Sequence, residues 1–300
     1  MVIEAHLICI ALVLVDIVAR TWRIQWILRG MHFDVPFGEA LALNVVGDAA
    51  SAITPLRVGG EPARMAALAH AKVPLTAGFV AITIEIIMMW PIVLAAGGWL
   101  TLIYAPSWWR TAGPELAQEI AKAWPWVLAV IVLSVVAWWA ARHLFPRASH
   151  IVQRSTRRAL VYARRMPAWP LVAGFPLTLV SLAARVAILP VLALTLPDPP
   201  PLGPLTFGSF ALLYSQFLLP TPSGAGVVDL GFLGGAAGDL REHEAALLLA
   251  WRFYTTFVLV ALGFIVAIRQ YGRPVVAAIL RGRTPPGVSA PAELERDARA

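Results

Sequence analysis

"TPLRVGGEPARM" spans Thr54–Met65 and lies between two long apolar stretches. These twelve residues hold two arginines, a glutamate, two adjacent glycines and two prolines. In a water-soluble chain they would read as a surface turn. The surroundings demand something else. The chain has 300 residues, is 59% hydrophobic and 14% charged, and has a mean hydropathy of +0.73. Soluble domains are about 45–50% apolar and about 25% charged. The composition is that of an all-α integral membrane protein, with length for roughly six or seven crossings of about 20 residues each.

Working outward from Thr54–Met65, uninterrupted apolar spans are expected at 3–19, 74–103, 124–141, 169–196 and 243–268. Residues 36–72 and 201–240 are also apolar, but Gly, Pro and charge cut them near the middle. The tail 281–300, rich in Pro, Ala and charge, is expected to be disordered and cytoplasmic. The start of the chain has no Lys or Arg before its apolar run and no small-x-small cleavage pattern after it, so it reads as a retained first span. One cysteine, Cys9, excludes an intramolecular disulfide, and no metal or other cofactor is expected. The net charge of +7 reads as arginine-rich loops beside anionic lipid, not as nucleic-acid binding.

Basic residues set the orientation. Nineteen of the 24 Lys and Arg fall in 20–30, 57–72, 142–168 and from 269 onward. Only Arg110, Lys122 and Arg241 fall in 104–123 and 197–242, while Arg185 and Arg252 lie within spans. The rich side is expected to face the cytoplasm of a cell-membrane protein. Residues 36–72 must then enter and leave from that side, and 201–240 from the other. Two interrupted segments dipping in from opposite faces predict an inverted repeat of span, re-entrant broken hairpin, span. A shift of 165 residues supports it. "LVLVDIVAR" (12–20) falls on "LTLVSLAAR" (177–185) with five of nine identities, Pro36 and Gly38 fall on Pro201 and Gly203, Pro55 on Pro220, and Gly59 on Gly224. The transmembrane domain is expected over 1–280, as a first repeat at about 1–103, a connecting span and basic segment at 104–168, and a second repeat at about 169–280.

Non-helical backbone at membrane depth survives only inside protein or beside a polar cavity, and paired discontinuous helices point to a transporter's binding site. Gly59 and Gly60 free the backbone, and Glu61-Pro62 reads as a helix start. Such a start presents unpaired N–H groups, and the flanking Arg57 and Arg64 suit bidentate phosphate binding. "LLPTPSGAGVVDLG" (Leu218–Gly231) repeats the theme: Pro220 and Pro222 stop one half-helix, Gly224 and Gly226 permit close approach, Ser223 is a cap candidate, and Asp229 lies near the next start. An interfacial helix–loop–helix in water is the plainer reading of either motif alone. Ionisable groups within spans need partners. Glu85 is expected to pair with Arg252, since 85 shifted by 165 lands two residues away. Asp16 and Arg20, and Asn44 and Asp48, stand one turn apart. Catalytic signatures are missing: "HEAAL" (His243–Leu247) lacks the second histidine of a zinc pair, and Ser223 lacks the glycines of a nucleophile elbow. An enzyme is not expected.

The stretch "NVVGDAASAITPLRVGGEPARMAAL" (Asn44–Leu68), with "ITIEI" (Ile82–Ile86), "LLPTPSGAGVVDLG" and "AWRFYT" (Ala250–Thr255), resembles the flippase-like family named after the transmembrane domain of lysylphosphatidylglycerol synthase. That resemblance picks out Asn44, Pro55, Gly59, Gly60, Glu61 and Arg64 in the first half. It adds Glu85, then Pro220, Pro222, Gly224, Gly226, Asp229 and Arg252; Pro62 is a further break. Asp229 stands where the family more often has Glu, and Ile86 replaces an Arg. The synthases' soluble aminoacyl-transfer domain has no counterpart in this sequence. The resemblance implies translocation of a lipid, with membrane lipids, anionic or phosphate-bearing, as the partners. Two other classes stay open: a non-transporting scaffold docking a lipid- or glycan-modifying enzyme through "RSTRRALVYARR" (Arg154–Arg165), and an ion- or proton-coupled carrier.

Overall fold

The computed structural model describes residues 2–54, 57–144, 159–216, 223 and 244–280. Pro55, Pro220, Pro222, Gly224, Gly226, Asp229, the basic stretch 145–158 and the tail lie outside the described residues. Every described element is helical: α1 (Val2–Gly30), α2 (Phe37–Ile53), α3 (Gly60–His70), α4 (Leu75–Leu144), α5 (Trp169–Ala193), α6 (Leu202–Ser215), α7 (Glu244–Arg252), a π-helical turn (Phe253–Phe257) and α8 (Val258–Leu280). Among the described residues, four stretches are long and apolar enough to cross a membrane: Val2–Gly30, Leu75–Tyr104, Trp169–Ala193 and Ala245–Gly272.

Two boundaries differ from the sequence expectation. The first helix does not stop near residue 19. Ile24, Ile27 and Leu28 continue its buried stripe at helical spacing, so the helix carries on to Gly30. The expected separate crossing at 124–141 belongs to the same continuous helix as 75–103. Between them, "ELAQEIAKA" (115–123) is built mostly of strong helix formers, and the helix runs on through Pro114.

Helices α1 and α5 form the central pair and run antiparallel. The Cys9 thiol approaches the Ile188 carbonyl, Asp16 meets Ser181 and Arg185, Arg23 meets Thr178, and Gly30 abuts Pro170. At one end of the molecule Cys9, Val13, Leu192, Leu205, Leu247 and Trp251 share a core. At the other, Ile27, Met31, Ala40, Leu68 and Val73 share another, with Tyr162, Met166 and Tyr271 packed on it. The second end gathers the segments that the charge asymmetry placed on one side.

In segment 36–72, α2 begins and α3 ends at that second end, so the two arms form a helical hairpin. Its turn at 54–59 lies toward the middle. Helix α6 begins at the opposite end, among Leu205 and its neighbours. Phe37 and Leu202, which open α2 and α6, are separated by the 165-residue offset. The elements that correspond at this offset, α1 and α5, are antiparallel.

Candidate functional site

Polar residues on α1 recur at Asp16, Arg20 and Arg23, three and four apart and therefore on one face. That face looks into the protein, and each member is met by a partner from another element. Arg20 donates through Nη1 to one oxygen of Asp48 on α2 at 3.0 Å and through Nη2 to the other at 2.6 Å, a bidentate pair, and also contacts Asp16 at 3.2 Å. Asp16 accepts from the Ser181 hydroxyl at 2.5 Å and from Arg185 Nε at 2.7 Å. Arg185 also lies 3.7 Å from Asp48. The pairing of Asp16 with Arg20 expected from spacing is present, inside a cluster of two carboxylates and two arginines drawn from α1, α2 and α5.

A second cluster lies farther along α1. Glu85 on α4 accepts from Arg23 Nε at 3.1 Å and Nη2 at 2.6 Å, and its other oxygen accepts from Arg64 Nη2. Arg23 further donates to Thr178 at 2.9 Å. The expected Glu85–Arg252 pair is not formed. Glu85 is taken up by Arg23 and Arg64 from other helices, and Arg252 instead donates to the Ser223 carbonyl at 2.7 Å. Arg23, counted with the basic loops from sequence, is buried at 3% exposure. Arg20 and Arg64 are likewise internal, which leaves the basic-side arginine excess intact but smaller.

The break in the first hairpin is where the glycines placed it. Thr54 closes α2, and its hydroxyl donates to the Ala50 carbonyl and accepts from the Gly59 N–H. Arg57 sits in the left-handed region at φ 58°. Gly59 caps α3, and Gly60 and Glu61 form its first turn. A Cβ on Gly60 would collide with the Ser51 hydroxyl, and one on Gly47 with the Arg64 side chain. Glycine at both positions lets α2 and α3 close. Glu61 is half exposed and reaches Arg64 only at 3.6 Å. Burial raises its carboxyl above the ordinary value, Arg64 opposes this and Glu85 adds to it. Asn44 donates to Thr21 at 3.4 Å, on the α1 face of the hairpin.

The turn of the first hairpin meets the second segment. Arg57 Nη1 donates to Gln216 Oε1, at the end of α6, at 2.9 Å. The Ser223 hydroxyl donates to the Ala52 carbonyl, also at 2.9 Å. Whether Ser223 caps a following helix falls outside the described residues. Where these tips meet, a cavity of about 50 Å³ opens, lined by Asp16, Arg57, Arg185, Tyr214 and Gln216, with Tyr254 and Thr255 of the π-helical turn. It has room for roughly three or four water molecules. Single π-turns inside α-helices are frequent at functional sites.

Of the residues picked from sequence, Arg57, Ser223 and Arg252 gather at the tips. Arg64, Glu61 and Glu85 form the neighbouring cluster, and Gly59 and Gly60 the break between. Arg23, Arg185, Asp48 and Gln216 complete the arrangement and were not selected. Their signals were weak but present: Arg185 and Gln216 are polar residues in apolar runs, and the missing Arg after Glu85 meant that its partner had to come from another helix.

A family model described as the lysylphosphatidylglycerol synthase TM region matches residues 2–263. No curated protein and no solved structure matches the chain.

Proposed function

The chain belongs to the family of lysylphosphatidylglycerol synthase TM regions, and from that premise we propose that it moves a lipid with a polar or anionic headgroup between membrane leaflets. The observation that carries this reading is the meeting of the two interrupted segments around a polar cavity, through Arg57–Gln216 and Ser223–Ala52. A break between α2 and α3 that meets the end of α6 beside a polar space fits a site reached alternately from either side. The headgroup enters between the tips while the acyl chains stay in the bilayer. In this reading the two segments are re-entrant, the basic end is cytoplasmic and the membrane is the cell membrane.

The test is leaflet exchange of tail-labelled phospholipids in proteoliposomes. Wild type is expected to exceed protein-free vesicles, and Arg57→Ala to lose at least about tenfold, the worth of a charge-assisted hydrogen bond. Arg57→Ala exchanging lipid at the wild-type rate would remove the site from the tips. The small size of the cavity favours one second reading, an ion or proton carrier, in which Glu61, with its raised pKa, is the titrating group. Proton or ion flux in vesicles lacking labelled lipid, abolished by Glu61→Gln, would select that reading.

A further inference from the structure

The basic stretch that leads into α5 takes no part at the cavity. Residues 142–168 hold seven arginines and no Asp or Glu. The described part begins with a short helix at 159–165 that is held by one side only. Ala159, Tyr162 and Met166, three and four apart, pack on the core at the basic end of the molecule. The Tyr162 ring lies 5.9 Å from that of Phe33, and Met166 and Pro167 stand against Gly30 at the end of α1. These contacts fix which way the helix is rolled. Leu160, Val161, Arg164 and Arg165 share the outward face, and all four are exposed. Two aliphatic side chains between two guanidinium groups suit neither open water nor a dry protein contact. They suit a membrane boundary, where the aliphatic groups enter the acyl chains and the arginines reach the headgroups.

Chain connectivity fixes the depth of this face. Trp169 opens α5, a helix of membrane-crossing length, and is exposed, as are Val172 and Phe175 beyond it, so this side of α5 faces lipid. The Trp169 ring lies 6.2 Å from that of Trp26 on α1. Tryptophans gathered at one level mark the headgroup boundary. Arg165 precedes Trp169 by four residues, a reach of at most about 14 Å. A headgroup layer is about 5–8 Å thick, and the long arginine side chains cover part of the distance. We infer that the outward face of 159–165 lies in the leaflet interface at the basic end and binds the phosphates of anionic phospholipid. Leu160 and Val161 sit among the upper acyl chains, and Arg164 and Arg165 among the headgroups. Because 142–168 contains no carboxylate, nothing within the segment competes with lipid phosphate for its arginines. This surface site is separate from the tips and holds whatever the protein transports.

Site-directed fluorescence quenching tests it. The native thiol is removed as Cys9→Ala. A fluorophore is attached on the outward face through Val161→Cys and, as a reference, on the lipid-facing side of α5 through Val172→Cys. The protein is reconstituted into phosphatidylcholine vesicles carrying equal amounts of either phosphatidylglycerol or phosphatidylcholine with a nitroxide near the top of one acyl chain. At Val161→Cys the phosphatidylglycerol nitroxide is expected to quench at least about fivefold more than the phosphatidylcholine one, the shift that a single arginine near an anionic surface gives. High salt is expected to shrink the difference. Arg164→Gln combined with Arg165→Gln is expected to make the two lipids equal at Val161→Cys. The reference at Val172→Cys stays quenched in every variant, which shows the protein inserted and folded. Quenching at Val161→Cys by aqueous iodide and by neither lipid overturns the interfacial placement. Equal quenching by the two lipids with both arginines present overturns the anionic preference. A preference that survives the double arginine variant overturns the assignment to Arg164 and Arg165.

Discussion

Glu85 holds two guanidinium groups, from Arg23 and Arg64, and all three side chains are nearly closed off from the surface. Burying such a trio is costly, and the geometry repays it only while every member is present. Replacing Glu85 with Ala strands two arginines in a closed space, so a loss of about 3–5 kcal/mol is expected. Thermal unfolding in detergent would show it as a lower melting temperature. Glu85→Gln keeps an acceptor oxygen and is expected to cost less; equal losses for the two would mean that packing, not charge, is what Glu85 supplies. At this scale the sequence was only half readable. An acid inside an apolar span announces that it needs a partner, and Glu85 was marked for that reason. Which partner depends on how helices far apart in sequence are laid together, and no local spacing reports that. Arg23 sits in "TWRIQW", where a basic residue after an apolar run looks like the end of a span. Only the continuation of α1 to Gly30 turns it inward.

At the scale of elements, the α2–α3 hairpin depends on contacts that leave no room for side chains. A Cβ on Gly60 would overlap the Ser51 hydroxyl and lie 3.2 Å from the Gly47 carbonyl oxygen. The hydroxyl can rotate away; the carbonyl belongs to α2 and cannot. Gly60→Val is therefore expected to spread the hairpin and to cost about 1–3 kcal/mol, as overpacking does, read as a fall in melting temperature. Gly98, where a Cβ meets nothing within 4 Å, provides the control, with Gly98→Ala expected to be neutral or better. A Gly60→Val protein as stable as wild type would show that the hairpin is loosely packed. The break itself was legible because two glycines followed by Glu-Pro leave the chain few alternatives between apolar helices. The extent of α4 was not. Residues 115–123 are polar enough to suggest a connection, and the apolar span does end at Tyr104, yet their intrinsic preference is helical and the helix itself runs on.

At the scale of the whole molecule, two segments that start at opposite ends meet at their tips, and the cavity between them is too small for a headgroup. If lipid passes there, the tips must separate in each cycle. This makes the tip contact a place to stop the protein. The Ser223 hydroxyl stands 2.9 Å from the Ala52 carbonyl oxygen, so a cysteine pair placed at these two positions probes the contact directly. The native thiol, Cys9, is buried at the far end of α1 and can be removed as Cys9→Ala. In that background the pair Ala52→Cys and Ser223→Cys, once oxidised, is expected to bring leaflet exchange down to the protein-free rate, and reductant to restore it. Each single cysteine is expected to be insensitive to oxidation. The reversibility matters because a merely damaged fold would not recover on reduction. An oxidised, demonstrably cross-linked protein that still exchanged lipid at the reduced rate would mean that the headgroup travels along the outside of the helices. The tips and their arginines would then be a structural clasp, and the 165-residue recurrence a record of how the chain was built, not of how it works.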